Sequence, residues 1–346
     1  MTIKNSKYSR NTNLWLIIIF LPLAQLWIYR AHSAPELAEP KTNFVRKEVH
    51  SGLLSNNCNM VIEHIRIDDA PVVVAKPTTI DKDTPLIIMY HGFGPPASPE
   101  ELMEAIPPLP GSVTVYPTLP LTKNRMPMGG IDELRRRQSA DYIGQLLFPS
   151  ISEAARELPK IVDALKTQLG LSKDKGVALF GFSAGGAATL LGLIESDVPV
   201  RAAVAVNAPL NIRQAVDNWE KLFARKFNWS APAKEAAQRY DVAAKAETVA
   251  QRNPATAILL LQGDKDEYYS PEPVKLAVSK LRQAYHGYEN EIQMQILKNT
   301  THHFAADNNP AQNNPAANTD NASMVVLGWF SKHLGISNDA GCANGG

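Results

Sequence analysis

The strongest constraint on the fold is a set of short, continuously apolar runs, of which Leu86-Ile87-Ile88-Met89-Tyr90 is the clearest. A run with no polar alternation has no face to turn towards water, so it reads as a strand covered on both sides. Val113 to Tyr116, Gly176 to Phe180, Val200 to Val206, Ala257 to Leu261 and Ile292 to Leu297 are further buried-strand candidates. Helical patterns fill the gaps at Ser150 to Leu169, Ala184 to Glu195, Pro273 to Tyr285 and Ser323 to Leu334. Strand and helix in strict turn imply right-handed crossovers and a parallel sheet. Ahead of them, Val61 to Ile67 alternates apolar and polar side chains and Pro71 to Ala75 is a short β-branched run, which predicts an antiparallel pair at a sheet edge. The expectation is an α/β fold built on a mostly parallel, eight-stranded sheet with helices on both faces.

Two stretches break the alternation. Asn211 to Asn253 is longer than one crossover helix needs, and Ile212, Val216, Trp219, Phe223 and Phe227 recur in it at helical spacing. It is expected to be a helical insertion, packed as an extra layer in preference to a mobile lid. Asp307 to Asn321 holds six asparagines and two prolines without periodicity and is expected to be an exposed, irregular loop.

Charge locates a further segment. The chain of 346 residues has 35 basic and 34 acidic side chains. Residues 1–33 contain Lys4, Lys7, Arg10 and Arg30 and no acid, leaving 31 basic and 34 acidic side chains, a charge of −3, for the rest. A basic start, an apolar run from Leu14 to Tyr29 and the small residues Ala31, Ser33 and Ala34 make a secretory signal, or an anchor if uncleaved. The folded part is then exported, periplasmic or secreted, or tethered to the membrane by residues 14–29. Export permits a bridge between Cys58 and Cys342, two unpaired thiols being the alternative. The near-neutral balance argues against a nucleic-acid binder, which needs surplus Lys and Arg to displace counterions.

The chemistry-bearing segments follow buried strands. Gly181-Phe182-Ser183-Ala184-Gly185 joins the run ending at Phe180 to the helical pattern from Ala184. A nucleophile on a sharp strand-to-helix turn needs glycines at its flanks, where backbone segments pass close, and the helix N-terminus favours developing negative charge on the substrate. Ser183 is the candidate nucleophile. His91-Gly92-Phe93-Gly94 follows the strand ending at Tyr90. Acyl transfer needs two backbone donors aimed at an oxyanion, and the N–H groups of Phe93 and Ala184 are the candidates. His91 reads as a brace for its loop.

With these motifs in this order the chain resembles the α/β-hydrolase superfamily over residues 60–335, and within it the dienelactone-hydrolase and prolyl-oligopeptidase-like branch. The resemblance implies a triad in the order nucleophile, acid, histidine. It places the acid in Gln262-Gly263-Asp264-Lys265-Asp266, selecting Asp266 with Asp264 as competitor, and the base in Thr301-His302-His303-Phe304, selecting His302 with His303 as alternative. His302 would take the Ser183 proton while Asp266 holds the imidazole, and water would release the acyl-enzyme.

The division expected is a signal or anchor over 1–33, an extension over 34–59, the hydrolase domain over 60–335 with its insertion at 211–253, and a tail over 336–346. The function implied is a serine hydrolase acting on a small-molecule carboxylic ester, thioester or small amide. The alternatives are a prolyl-oligopeptidase-like peptidase, or a catalytically silent hydrolase-fold binding protein tethered to the membrane. No cofactor is implied, since neither a phosphate loop nor a His-Glu-x-x-His zinc pair occurs. Arg135-Arg136-Arg137 reads as a solvated loop or helix face before a grip for an anionic group.

Overall fold

A computed structural model describes residues 60–303 and 315–336. The signal or anchor segment with its apolar run 14–29, the extension 34–59, Cys58, Cys342 and most of the tail lie outside the described residues. Among those described, no helix is long and apolar enough to cross a membrane.

Strands β1 (Met60–Ile67) and β2 (Ala70–Pro77) form an antiparallel hairpin closed by Asp68-Asp69. Then come β3 (Leu86–Tyr90), helix α1 (Pro99–Ala105), β4 (Val113–Pro117) and α2 (Gly130–Tyr142), which runs through one π-helical turn (Ile143–Leu147) into α3 (Phe148–Leu169). The chain continues through β5 (Val177–Phe182), α4 (Ala184–Glu195) and β6 (Val200–Val206). Helices α5 (Ile212–Phe223), α6 (Ala231–Arg239) and α7 (Ala246–Ala250) follow, then β7 (Ala257–Gly263), α8 (Glu272–Ala284), β8 (Ile292–Leu297) and α9 (Pro315–Leu334).

The eight strands form one sheet in the order β1-β2-β4-β3-β5-β6-β7-β8. β1 and β2 run antiparallel at one edge, and β2 also meets β4 antiparallel; the other pairs are parallel. This is the α/β architecture expected from the apolar runs, and the strands found as continuous runs, β3, β5 and β7, are buried along their whole length. The twofold repeat of a strand divides the core. Ile88, Tyr90 and Leu179 face α3, α4, α5 and α8, whereas Ile87, Met89 and Phe180 face α1 and α9. Each such fully buried aliphatic side chain contributes about 1.5–3 kcal/mol of burial free energy.

One expectation needs correction. The Asn-rich stretch is not irregular to its end: α9 begins at Pro315, so residues 315–321 are helical. Proline at the first helical position lacks only an N–H that has no intrahelical partner there, and asparagine-rich composition does not override that start. The Arg135–Arg137 run lies on a helix, α2, one of the two placements expected for it, and there Glu133 accepts from both Arg136 and Arg137 and Asp132 accepts from Arg135. Three helices fill 212–250, and α5 packs against the core through Ile212, Ala215, Val216 and Trp219.

Candidate active site

Strand β5 ends in a backbone that most residues avoid. Ser183 sits at φ 52° and ψ −117°, and its N–H donates to the Val206 carbonyl at 2.9 Å. Gly181 lies so close to α4 that a Cβ there would strike the Gly185 carbonyl, and a Cβ on Gly185 would strike the carbonyls of Tyr90 and His91. These two contacts explain the glycine spacing: one folds the turn on itself, the other brings the loop after β3 against the serine. The strain at Ser183 is the kind that persists only where its surroundings over-determine it.

Ser183 Oγ, 9% exposed as a residue, is 3.0 Å from His302 Nε2. His302 Nδ1 lies 3.1 and 3.0 Å from the two Asp266 oxygens. The carboxylate requires a proton on Nδ1, so Nε2 is free to accept from the serine hydroxyl. Burial would push the Asp266 carboxyl up, but the His302 ring and the N–H groups of Tyr268 and Tyr269, at 2.8 and 2.9 Å, more than offset it and hold the carboxyl below its ordinary value. Gln262, a polar residue at the end of an apolar strand, donates to Asp266 Oδ2 at 2.9 Å and to the Tyr269 carbonyl at 3.1 Å.

The two alternative residues have other partners. Asp264 accepts from the Thr300 N–H at 3.2 Å, and Glu267 accepts from the His302 N–H at 3.1 Å. His303 Nδ1 donates to the Pro95 carbonyl at 3.0 Å, tying the histidine loop to the loop after β3. Asp264 and His303 therefore brace the loops that carry Asp266 and His302. Tyr268 meets the His302 ring edge-on, with centroids 4.6 Å apart.

Phe93 and Ala184 both line the cavity above Ser183, and neither backbone N–H is taken by an acceptor among the described residues. The loop carrying Phe93 is held by His91. The Leu119 N–H donates to its Nε2 at 3.1 Å, which forces the proton onto Nδ1, and that nitrogen donates to the Gly92 carbonyl at 2.7 Å. Burial pushes the His91 imidazole down to about 4. Its folded value lies below the unfolded one of about 6.5, so the unfolded chain takes up a proton first as pH falls. The stability that neutral His91 contributes is complete above about pH 6.5 and is lost progressively down to about pH 4. Urea unfolding of the wild type should lose about 2 kcal/mol more than His91→Gln between pH 7 and 4.5. Parallel curves for the two proteins would refute this assignment.

The cavity has a volume of about 30 Å³. Its walls include Tyr142, Leu146 and Leu147 from α2 and the π-helical turn, and Asn218, Trp219 and Leu222 from α5. The periodicity of α5 marks Trp219 as buried but not as a wall of this cavity. Among the described residues, no Asp, Glu, Lys or Arg lines it. Burial raises the Tyr142 and Tyr269 phenols, which share a hydrogen bond, so both stay neutral. A wider groove of about 820 Å³ along α3, between Arg156, Asp163, Lys173 and Arg239, touches none of these residues.

Comparisons with known proteins bear on the fold and the family. No curated protein matches the chain in a sequence search. Among solved structures, a Klebsiella pneumoniae protein described as a dienelactone hydrolase is similar at 17% identity and a TM-score of 0.52, over 79% of this chain and 99% of its own. A puromycin-hydrolyzing peptidase from Mycobacterium tuberculosis is similar at 15% identity and a TM-score of 0.55, and the acylaminoacyl peptidase of Pyrococcus horikoshii at 15% and 0.57. Each covers 83% of this chain, which spans only 41% and 43% of their lengths. At these identities the likeness carries the fold. The sequence profile of the prolyl oligopeptidase family matches residues 153–335, just over half of the chain and the part that carries Ser183, Asp266 and His302. The chain belongs to the prolyl oligopeptidase family and is a serine hydrolase of the α/β-hydrolase fold.

Proposed function

We propose that the protein hydrolyses a neutral carboxylic ester with a short acyl group, through an acyl-enzyme on Ser183. The observation that carries this reading is the unbroken chain from Ser183 Oγ through His302 to Asp266 beneath an uncharged cavity. His302 takes the serine proton as Oγ attacks the ester carbonyl, and the N–H groups of Phe93 and Ala184 receive the oxyanion. The protonated imidazole then gives its proton to the leaving alcohol, and water repeats the cycle with His302 as base.

Two features support a short, neutral acyl group. A volume of about 30 Å³ accommodates a group on the scale of a few water molecules, far below the several hundred Å³ of a pocket for a drug-sized ligand. One of its walls is held in place: Trp219 is 4% exposed, its Nε1 donates to the Gln138 carbonyl at 3.1 Å, and the Arg225 guanidinium stacks 4.7 Å from its ring. Among the described residues the lining also offers no carboxylate to receive the α-amine of a peptide. The family match motivates a peptidase as the second reading.

Turnover of p-nitrophenyl esters from acetate to octanoate, set beside aminoacyl p-nitroanilides, separates the two. Acetate or propionate should be preferred, and Trp219→Leu should raise kcat/KM for hexanoate about tenfold while lowering it for acetate. A wild type that favours anilides, or a chain-length profile unmoved by Trp219→Leu, would overturn the proposal. The apolar run 14–29 and the basic residues before it support export of the enzyme, which cell fractionation of the full chain would test.

A further inference from the structure

One buried polar side chain touches both loops that carry the acid and the histidine, and nothing in the proposed reaction uses it. Asn207 follows β6, is fully buried, and has φ 46°, a left-handed backbone that asparagine tolerates better than most residues. Its backbone N–H donates to the Leu261 carbonyl on β7 at 2.9 Å. Its Oδ1 accepts from the Gly263 N–H at 2.7 Å, at the root of the turn that carries Asp266. Its Nδ2 donates to the carbonyls of Thr301, at 3.0 Å, and His302, at 2.8 Å. Both amide hydrogens and the amide oxygen are thereby used, and in opposite senses: acceptor towards the acid strand, donor towards the histidine loop.

We infer that Asn207 is a positioning residue: its carboxamide clamps the backbone of His302 to the end of β7, and so sets the imidazole at the distance from Ser183 and Asp266 that proton transfer needs. The inference rests on reading Ser183, Asp266 and His302 as the triad. Several other contacts join the same two loops. The Lys265 N–H donates to the Thr300 carbonyl at 3.0 Å, and the Asp264 N–H to the Leu297 carbonyl at 3.1 Å. Those bonds run from the exposed residues Asp264 and Lys265 to the buried end of β8 and the loop that follows it. Asn207 is the bond to a third element, β6, which lies between β5 with the nucleophile and β7 with the acid. It therefore references the histidine to the sheet and not merely to a neighbouring loop. The close approach it serves is confirmed at Gly263, where a Cβ would strike the Thr300 carbonyl.

The chemistry of the side chain is specific. Aspartate has the same shape and tolerates the same backbone, but it would turn an acceptor towards two carbonyl oxygens in place of a donor. Glycine accepts the left-handed φ with no Cβ strain while deleting all three side-chain bonds. The pair separates the backbone requirement from the amide requirement.

The test uses the full chain, with p-nitrophenyl acetate as substrate and a fluorophosphonate as active-site probe. Asn207→Gly should lower kcat about 10- to 100-fold with KM within about threefold, because misplacing a catalytic group by an ångström costs on this scale. In stopped-flow, the burst and the steady phase should slow together, since His302 serves as base in both half-reactions, while the burst amplitude stays near one per labelled site. A role limited to fold stability would move the melting temperature without this pattern. Asn207→Asp should fold and show a loss at least as large; it decides the matter if the glycine variant does not fold. Wild-type kcat in either folded variant, or a change confined to KM, overturns the inference. Failure of the triad reading is distinct: the wild type would then resist the probe, or Ser183→Ala would still be labelled.

Discussion

Ser183→Ala should lower kcat by about 10⁵-fold and abolish labelling by a fluorophosphonate, with the melting temperature close to that of the wild type. The size follows from what the hydroxyl does. It is the atom that would carry the acyl group, and its proton is the one His302 is placed to take at 3.0 Å. Alanine removes both roles at once, and His302 and Asp266 then have nothing to activate. The fold should not suffer, because the serine side chain bonds only to His302 and the N–H that pairs with Val206 remains. A variant that keeps more than one-hundredth of the activity, or that still takes up the probe, would remove Ser183 from the mechanism.

Gly181→Ala should be the most destabilising single-methyl change in the site, by about 3 kcal/mol or more. The new Cβ would meet the carbonyl group of Gly185 and the nitrogen of Gly186, all of it backbone at the start of α4. A side chain in the way can rotate; a helix terminus can yield only by moving the helix. Such a shift would also carry Ala184, the proposed oxyanion donor, away from Ser183. Gly170→Ala is the control. Gly170 has φ 66° at the end of α3 with open space around it, so alanine there pays only the left-handed conformation, about 1 kcal/mol. Thermal unfolding of the two variants side by side should separate them by several degrees. Equal losses would mean that the contact at Gly181 yields easily.

The readable parts of the sequence were those in which one local pattern determines the outcome. Leu86 to Tyr90 has no polar face to expose, and it is a central strand. Gly181 and Gly185 flank a serine between an apolar run and a small-residue helix, and the turn they make follows from local sterics. Asp266 and His302 were legible through order along the chain and the resemblance that order supports; their distances from Ser183 depend on β7 and β8 lying beside β5 and β6 in the sheet. Asn207 was not legible. A lone asparagine after a strand carries no local signature, and its partners are 56, 94 and 95 residues away. Trp219 was half legible, since helical spacing predicts burial but not which cavity the buried face encloses. The start of α9 escaped because composition favours a loop where proline begins a helix.

The cavity walls have separate origins in the chain. Ser183, Ala184, Phe93, Tyr268, Tyr269 and His302 come from the ends of the strands and are cross-tied by Asn207, Gln262, His91 and His303. Trp219, Leu222 and Asn218 come from one helix in the connection between β6 and β7, and Tyr142, Leu146 and Leu147 come from the connection between β4 and β5. On the proposed reading, recognition therefore rests largely on connecting helices and reaction on the strand ends. If the proposed reading holds, sequence drift in residues 212–223 exchanges one substrate for another while the reacting atoms keep their places, and selection acts on that helix without first dismantling catalysis.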